Sequence, residues 1–195
     1  MISHIHNCIF IHIPKCAGES IETALMGRPN WEKDDPNYKF LEEPKDSLVG
    51  RDKHYTIGQW KTNYYYDTYF KFSTVRNPWA ASFSFYKYRK KRDNFPHSFN
   101  EWVAHVNHKV FSKFLSPLNY LQEDNQIPLD YICRFENLKN EWAIICDKLK
   151  IKTKKLPHIN KTLGQSNYRD YYNKKSIDIV YKNMKKDIDY FKYEY

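Results

Sequence analysis

A lysine, a glycine and a serine lie close together in the segment IPKCAGES at residues 13–20. The segment follows an apolar, β-branched stretch and precedes a stretch of helical periodicity. The start of a helix offers backbone N–H groups and the positive end of the helix dipole, so a loop there with Lys15 and Gly18 predicts an anion-binding cradle. It is not the phosphate-binding motif G-x-x-x-x-G-K-[ST], because Lys15 precedes the single glycine. The alternative is an ordinary turn between a strand and a helix, with a lysine at the surface.

A second group of polar residues follows another predicted strand, in the segment TVRNPW at residues 74–79. Arg76 comes at the end of that strand, where open α/β sheets bind ligands. Ser84 lies eight residues later, about two helical turns into the next element. A guanidinium group suits phosphate and a hydroxyl adds a donor, so Arg76 and Ser84 are candidates for holding one phosphate. The alternative is a helix start that follows an arginine by chance.

Three short apolar stretches predict the strands that position these groups. They cover residues 7–13, 69–75 and 129–135, and the segment at 69–75 alternates in polarity. Helical segments separate them, which indicates an α/β fold with a mostly parallel central sheet flanked by helices. A chain of 195 residues suits one core, so we predict a single domain over residues 1–195.

Capping residues and apolar periodicity predict the helices. The first is expected at residues 20–26 and the second from residue 79 to about residue 92, with Asn77 as its N-cap and a proline in the first helical position. Ser98 followed by Glu101 fits a capping box. The apolar faces of the later helices are expected to contain Phe99, Trp102, Val103 and Val106, then Leu138, Trp142, Ile145 and Leu149, and finally Ile177, Val180, Tyr181, Met184 and Ile188.

The charge of the chain favours anionic partners. Lys and Arg number 32 against 23 Asp and Glu, which gives a formal net charge of +9. A positive field attracts anions and speeds their capture. Nucleotides, acidic glycans, nucleic acids and membrane surfaces all fit this charge, and charge alone does not choose between them. The aromatic residues, 17% of the chain, can fill a core or line a sugar or base pocket.

The spacing of the cysteines and the hydropathy of the chain limit which metal or redox motifs and which cellular location we expect. Cys8, Cys16, Cys133 and Cys146 form no C-x-x-C pair, so buried reduced thiols are expected in place of a zinc or redox motif. The residues present demand no metal. No secretory leader is visible, and no run approaches the ~18 apolar residues that a membrane span needs, which predicts a soluble cytoplasmic protein.

Four blocks of sequence, in order, resemble the carbohydrate sulfotransferases that use 3'-phosphoadenosine-5'-phosphosulfate (PAPS), in the branch with heparan sulfate 2-O-sulfotransferase and small bacterial relatives. The blocks are FIHIPKCAGESI, FSTVRNPWAASFSFY, YICRFENLKNEWAIICDKLKI, and LPHINKT with YRDYYNKKSIDIVYKNMKKDIDYFKY, and they cover well over half of the chain. The resemblance implies a P-loop-like three-layer fold. It also implies transfer of a sulfuryl group from PAPS to a carbohydrate hydroxyl, with 3'-phosphoadenosine-5'-phosphate (PAP) as the product.

The same resemblance implies roles for individual residues. The first block corresponds to the loop that binds the 5'-phosphosulfate, and the second to the motif that binds the 3'-phosphate. Lys15 would contact the bridging oxygen and the sulfuryl group, and Arg76 and Ser84 would hold the 3'-phosphate. The other nucleotide-binding residues it implies are Cys16, Ala17, Gly18, Glu19 and Ser20 at the 5'-phosphate, and Asn160, Lys161 and Thr162 in a stretch that closes over the nucleotide.

His54 is the general base that the resemblance implies, since it lies in DKHYTIGQW, where relatives often carry a Lys-His segment. A histidine has an unperturbed pKa of about 6.5, near the operating pH of a base. Glu19, Glu22 and His12 are rival bases, with His12 expected to pack in its strand. The family often has threonine at position 19. A carboxylate beside a phosphate is unfavourable unless it points away, so Glu19 is expected to contribute only its backbone N–H.

Three other functions stay open at this point. A nucleotide kinase or other P-loop phosphotransferase shares the strand–loop–helix arrangement, although the lysine position of its motif is missing. A basic nucleic-acid-binding module fits the charge, although no RNP, KH, zinc-finger or helix-turn-helix signature is present. A non-catalytic PAPS binder is consistent with a glutamate at position 19. For the enzyme, the expected acceptor is a carbohydrate, anionic or lipid-linked, and no nucleic acid partner is expected.

Overall fold

The computed structural model describes residues 1–27, 54–153, 155–157 and 167–195, together with the backbone of residues 38–39. The chain divides into two compact units. The first, called the sheet unit, comprises Met1–Val75 and Tyr120–Ile159, and the second, called the helical unit, comprises Arg76–Asn119 and Asn160–Tyr195.

Five strands form one sheet in the sheet unit: β1 (Ile2–Ser3), β2 (Cys8–Ile11), β3 (Tyr38–Lys39), β4 (Phe70–Val75) and β5 (Tyr131–Arg134). Their order across the sheet is β3-β1-β2-β4-β5. The neighbours β2, β4 and β5 run parallel, whereas β1 pairs antiparallel with β2 and with β3. The three predicted strands and their parallel arrangement are therefore confirmed. The outer strands β1 and β3 escape prediction because two residues are too few to show a periodicity.

The central parallel strands are buried on both faces. Every residue of β2 and the last four residues of β4 are buried, so β4 lacks the exposed face that its alternating sequence predicts. Burial on both faces is usual where helices cover a parallel sheet. Ile11 pairs with Ser73, and Ser73 pairs with Ile132, so the carboxyl ends of the three strands lie at the same edge of the sheet. The chain leaves β2 at this edge and enters the segment that contains Lys15.

The described residues form seven α-helices. In chain order they are α1 (Gly18–Met26), α2 (Ile57–Trp60), α3 (Pro78–Asp93), α4 (Phe99–His105), α5 (Pro117–Leu121), α6 (Leu138–Lys148) and α7 (Lys174–Phe191). A π-helical segment covers Val110–Leu115, and short 3-10 turns cover Phe135–Asn137 and Tyr168–Tyr171. The five predicted helices correspond to α1, α3, α4, α6 and α7 and are confirmed. The short α2 and α5 were not predicted, because one turn of helix shows no apolar face.

The main core of the sheet unit joins the sheet to α1 and α6. Phe10 of β2 and Phe72 of β4 pack with ring centroids 5.1 Å apart. Helices that bury one apolar stripe against a sheet give the layered α/β arrangement that the sequence predicts. The buried residues of this core are Met1, Cys8, Phe10, Ile21, Ala24, Leu25, Phe72, Cys133, Trp142, Ile145 and Cys146.

Side-chain caps fix where α3 and α4 begin. The Asn77 side chain accepts hydrogen bonds from the N–H groups of Trp79 and Ala80, at 3.1 and 3.3 Å, and a proline occupies the first turn. Ser98 and Glu101 form the predicted capping box at the start of α4. Both caps were predicted from the sequence and are confirmed. The cap at Asn77 fixes the start of α3 two residues after Arg76.

Aromatic rings fill much of the core of the helical unit. The ring centroid of Phe83 in α3 lies 5.2 Å from that of Phe99 in α4, and the Phe99 ring lies 4.5 Å from the Tyr172 ring. Edge-to-face contacts of this kind stabilise aromatic pairs beyond the area they bury. These aromatic residues therefore serve core packing.

Helix α7 buries Val180, Met184 and Ile188, as predicted, but not Tyr181. The Tyr181 side chain is 41% exposed, and its ring packs beneath the ammonium group of Lys185, 5.3 Å from the ring centroid. A tyrosine presents an apolar ring and a polar tip, so apolar periodicity alone placed it wrongly on the buried face. Within the described residues, no helix is both long and apolar enough to cross a membrane.

Candidate active site

The segment between β2 and α1 has a strained backbone. Lys15 and Ala17 adopt left-handed conformations, with φ of 64° and 65°. Residues other than glycine rarely adopt this region, and each instance costs on the order of 1–3 kcal/mol, which proteins retain mostly at functional sites. Alternation of left- and right-handed residues directs successive N–H groups into a concavity that suits an anion. The left-handed Lys15 and Ala17 are compatible with an anion cradle in this segment, and anion binding there stays a prediction.

Gly18 lies in close contact with the His12 side chain. Its φ is not in the left-handed region, where the structure places Lys15 and Ala17 instead. A Cβ atom at position 18 would come within 2.5 Å of His12 Cε1 and closer still to His12 Cδ2 and Nε2. Position 18 is therefore a glycine because the His12 ring packs directly against its backbone.

The first turn of α1 completes the loop. The N–H groups of Ser20 and Ile21 donate to the main-chain oxygen of Ala17, at 3.0 and 3.2 Å. The N–H groups at the start of a helix lack acceptors within the helix and carry the positive end of its dipole. Glu19 lies half-buried in this first turn, where the dipole favours a carboxylate, and the Cys16 and Ser20 side chains are buried.

A buried hydrogen bond joins His12 to Glu22 behind the loop. His12 Nδ1 and Glu22 Oε1 are 2.7 Å apart, and the two side chains are 5% and 0% exposed. A general base must come within hydrogen-bond reach of the proton that it removes. The complete burial of Glu22 argues against it as a base acting directly on an acceptor. His12 lies just beyond the end of β2 and packs, as the sequence analysis expected.

His54 contacts the same residue from another side. Its Nδ1 lies 3.0 Å from the main-chain oxygen of His12, and the two imidazole rings meet edge to face with centroids 4.6 Å apart. A carbonyl oxygen only accepts, so His54 Nδ1 must carry the hydrogen. In the neutral imidazole the lone pair then lies on Nε2, which is the form that a general base needs.

The chain around His54 is well anchored on its carboxyl side. Tyr55 is buried, and its ring meets that of Trp60 edge to face with centroids 6.2 Å apart. Thr56 and Gln59 form a capping box at the start of α2. These contacts limit the movement of the half-buried His54 side chain.

Arg76 and Ser84 belong to the helical unit. Arg76 follows directly after β4 and is half-buried, and Ser84 lies half-buried in α3. The strand end and the helix start that the sequence predicted around Arg76 are confirmed. That these two residues hold a phosphate stays a prediction.

The remaining predicted residues divide between buried and undescribed positions. Asn160, Lys161 and Thr162 lie outside the described residues. All four cysteines are buried, and burial raises the pKa of the Cys8 and Cys133 thiols to about 12. Where side chains are described, no three His, Cys, Asp or Glu residues cluster as metal ligands would.

The shared contacts of His12, Gly18 and Glu22 were not predicted from the sequence. Glu22 and His12 were named there as rival bases, His12 as a residue packed in its strand, and Gly18 as a ligand of the 5'-phosphate, with no link among the three. Glu22 is a carboxylate among apolar helix residues, between Ile21 and Ala24, and this break in the pattern was the one available sign of a buried partner.

Comparison with known proteins identifies the family of this chain. Residues 1–194 match the model of the sulfotransferase family. An uncharacterized protein of Archaeoglobus fulgidus is 34% identical to this chain, in a match that covers 53% of this chain and 86% of that protein. No solved structure matches this chain.

Proposed function

Since this chain belongs to the sulfotransferase family, we propose that it transfers a sulfuryl group from PAPS to a hydroxyl group of a carbohydrate, with His54 as the general base. The observation that carries the proposal is the 3.0 Å hydrogen bond from His54 Nδ1 to the main-chain oxygen of His12. His12 lies three residues before Lys15, so this bond supports a base beside the segment proposed to bind the phosphosulfate.

The residues present suit the anionic donor. The left-handed Lys15 and Ala17 and the start of α1 offer N–H groups to the 5'-phosphosulfate, and Lys15 adds a positive charge. The other proposed ligands are Cys16, Gly18, Glu19 and Ser20 for the 5'-phosphate, Arg76 and Ser84 for the 3'-phosphate, and Asn160, Lys161 and Thr162 for closure over the nucleotide. A guanidinium and a hydroxyl match the donors that phosphate recognition uses.

PAPS, when bound, supplies the sulfuryl group and leaves as PAP. The sulfur–oxygen bond to the donor phosphate breaks, a bond from sulfur to the acceptor oxygen forms, and the hydroxyl proton goes to His54 Nε2. Transfers of this loose kind depend chiefly on positioning and on stabilising charge. We assign the Lys15 ammonium group to the negative charge that grows on the leaving phosphate.

The acceptor in this proposal is a carbohydrate, anionic or lipid-linked. The formal net charge of +9 favours an anionic acceptor, although it equally favours the nucleotide. We also propose that residues 1–195 act as one sulfotransferase domain, since the matched region includes both units.

Thermal unfolding with PAP, ATP, AMP or buffer tests the donor site. A ligand that binds only the folded state stabilises it by about 2.7 kcal/mol at 100 times its Kd. We expect a clear shift with PAP alone, and a loss of most of that shift in Arg76→Ala, which removes a charge-assisted contact. The matched control is Arg92→Ala, which removes an exposed guanidinium near the end of α3.

Each other outcome contradicts part of the proposal. A shift with ATP and none with PAP would favour a phosphotransferase. No shift with any nucleotide would remove the donor assignment. A PAP shift without sulfuryl transfer from PAPS to any member of a saccharide panel, anionic and neutral, would favour a non-catalytic PAPS binder.

A further inference from the structure

Glu22 is an acidic side chain with no exposure at all, in the interior face of α1. Burial of a lone carboxylate is unfavourable, and such groups persist only when paired. Its described partner is His12 Nδ1, 2.7 Å away. Replacing both members of a buried charged or hydrogen-bonded pair by apolar residues is often neutral or stabilising, so fold stability alone does not explain why this chain keeps His12 and Glu22.

His12 contacts three parts of the candidate site through three different groups. Its Nδ1 bonds Glu22, its ring edge lies against the backbone of Gly18, and its main-chain oxygen accepts from His54. The His12 ring also meets the His54 ring edge to face. Its orientation therefore sets both the approach of the loop backbone and the surroundings of His54.

We propose that the side chains of His12 and Glu22 are positioning groups that hold the His54 ring beside the loop at residues 13–20, where its Nδ1–H reaches the main-chain oxygen of His12. This inference rests on the proposed function, in which His54 Nε2 is the base. Glu22 holds the His12 ring through Nδ1, and Gly18 leaves the space for it. The held ring then packs against His54, while the adjacent main-chain oxygen accepts the Nδ1–H of His54.

Two variants separate positioning from stability. Glu22→Met removes the carboxylate at similar length, and His12→Met/Glu22→Met replaces the whole pair by apolar side chains. The double variant removes both members of the His12–Glu22 hydrogen bond, so neither is left buried without the other, and it is expected to fold even if Glu22→Met does not. We expect both to lower kcat by about 100-fold, the effect of displacing a reacting group by about 1 Å, with much smaller changes in KM for PAPS.

Two control variants test whether the effect is specific to the hydrogen bond between His12 and Glu22. Glu22→Gln retains an oxygen that can accept from His12 Nδ1 and is expected to keep most of the turnover. Asp187→Asn neutralises another buried carboxylate, in α7 of the helical unit, and is expected to leave kcat unchanged.

A spectroscopic readout makes the test independent of activity. In protein labelled with ¹⁵N-histidine, the two ring nitrogens of His54 report its tautomer, with assignment by His54→Asn. We expect a protonated Nδ1 and an unprotonated Nε2 in the native chain. The double variant keeps the main-chain oxygen at position 12 but loses the ring that packs against His54, so we expect His54 to leave that oxygen part of the time and to show a mixture of tautomers. Native His54 tautomer and native kcat in the double variant would overturn the positioning role. A native chain that neither binds PAP nor transfers sulfuryl would overturn the proposed function, and the tautomer spectra would still decide the role of His12 and Glu22.

Discussion

At the scale of single residues, His54 owes its proposed role to one backbone acceptor. The main-chain oxygen of His12 can only accept, so it selects the tautomer of His54 whose Nε2 holds the lone pair. In catalytic triads a carboxylate performs this selection, and the wrong tautomer there costs about 10⁴ in kcat. A carbonyl achieves the same selection without placing a further negative charge beside the loop proposed to bind the phosphosulfate.

The variant His54→Asn isolates the base from its structural contact. The asparagine amide can donate to the His12 oxygen as Nδ1–H does, but it cannot accept a proton at neutral pH. We expect turnover to fall by about 10²–10⁴, the usual contribution of a general base, while the PAP-induced thermal shift stays native. Turnover close to the native value would remove His54 and make Glu19 the next candidate.

At the scale of elements, the start of α1 stores backbone strain at Ala17. A left-handed conformation costs an alanine about 1–2 kcal/mol, and glycine avoids that cost but loses about 0.4–1 kcal/mol through a more flexible unfolded chain. Ala17→Gly is therefore expected to raise the free energy of unfolding by between about 0 and about 1.6 kcal/mol, measured by urea denaturation. Ala24→Gly, inside the same helix, is expected to lower it by at least about 1 kcal/mol. Equal losses in both variants would contradict the strain at Ala17.

A second buried carboxylate, that of Asp187 in α7, accepts hydrogen bonds from the start of α5. Asp187 follows the non-helical residue Met184 and accepts from the Ser116 hydroxyl and the Leu118 N–H, each at 2.9 Å. Burial raises the pKa of Asp187, and these two hydrogen bonds oppose part of that rise. The folded chain therefore holds the Asp187 proton more tightly than the unfolded chain does.

This raised pKa gives a pH dependence of stability. The free energy of unfolding should fall as pH rises from the unfolded pKa, about 3.9, to the raised folded pKa, by up to about 1.4 kcal/mol per pH unit, and level off above it. Asp187→Asn should remove this component in urea unfolding between about pH 4 and pH 7. Asp178→Asn, an exposed change on the same helix, controls for the loss of one negative charge. A native pH profile in Asp187→Asn would contradict the assignment.

At the scale of the whole molecule, local patterns determined what the sequence could predict about the fold. Apolar stretches and capping residues are patterns that a few neighbouring residues contain. They predicted the strands at 8–11, 70–75 and 131–134 and the caps at Asn77 and Ser98. The two-residue strand β1 and the one-turn helix α2 are too short to contain such a pattern. The burial of both faces of β4 depends on its neighbours in the sheet, which alternation within one strand does not report.

The candidate site was predictable to the extent that it lies in one loop. Lys15 and Gly18 are adjacent to a strand end and a helix start, so their segment was visible as a motif. The pairing of His12 with Glu22 and with His54 joins residues 10 and 42 positions apart, and no periodicity encodes it. The left-handed Lys15 and Ala17 were also hidden, because neither residue type favours that conformation.

The excess of positive charge should be visible in the rate at which the nucleotide binds. A formal net charge of +9 produces a field that speeds the arrival of an anion, and salt screens it. The Debye length shrinks from about 30 Å at 0.01 M to about 8 Å at 0.15 M salt, so the association rate of PAP, measured by stopped flow, should fall several-fold over that range. The dissociation rate should change much less, since contacts at short range are less screened.

Adenosine, which is neutral, is the control and should associate at a rate independent of salt. A PAP association rate equally insensitive to salt would show that the net charge does not steer the nucleotide, and would leave the anionic acceptor as the partner that the charge serves.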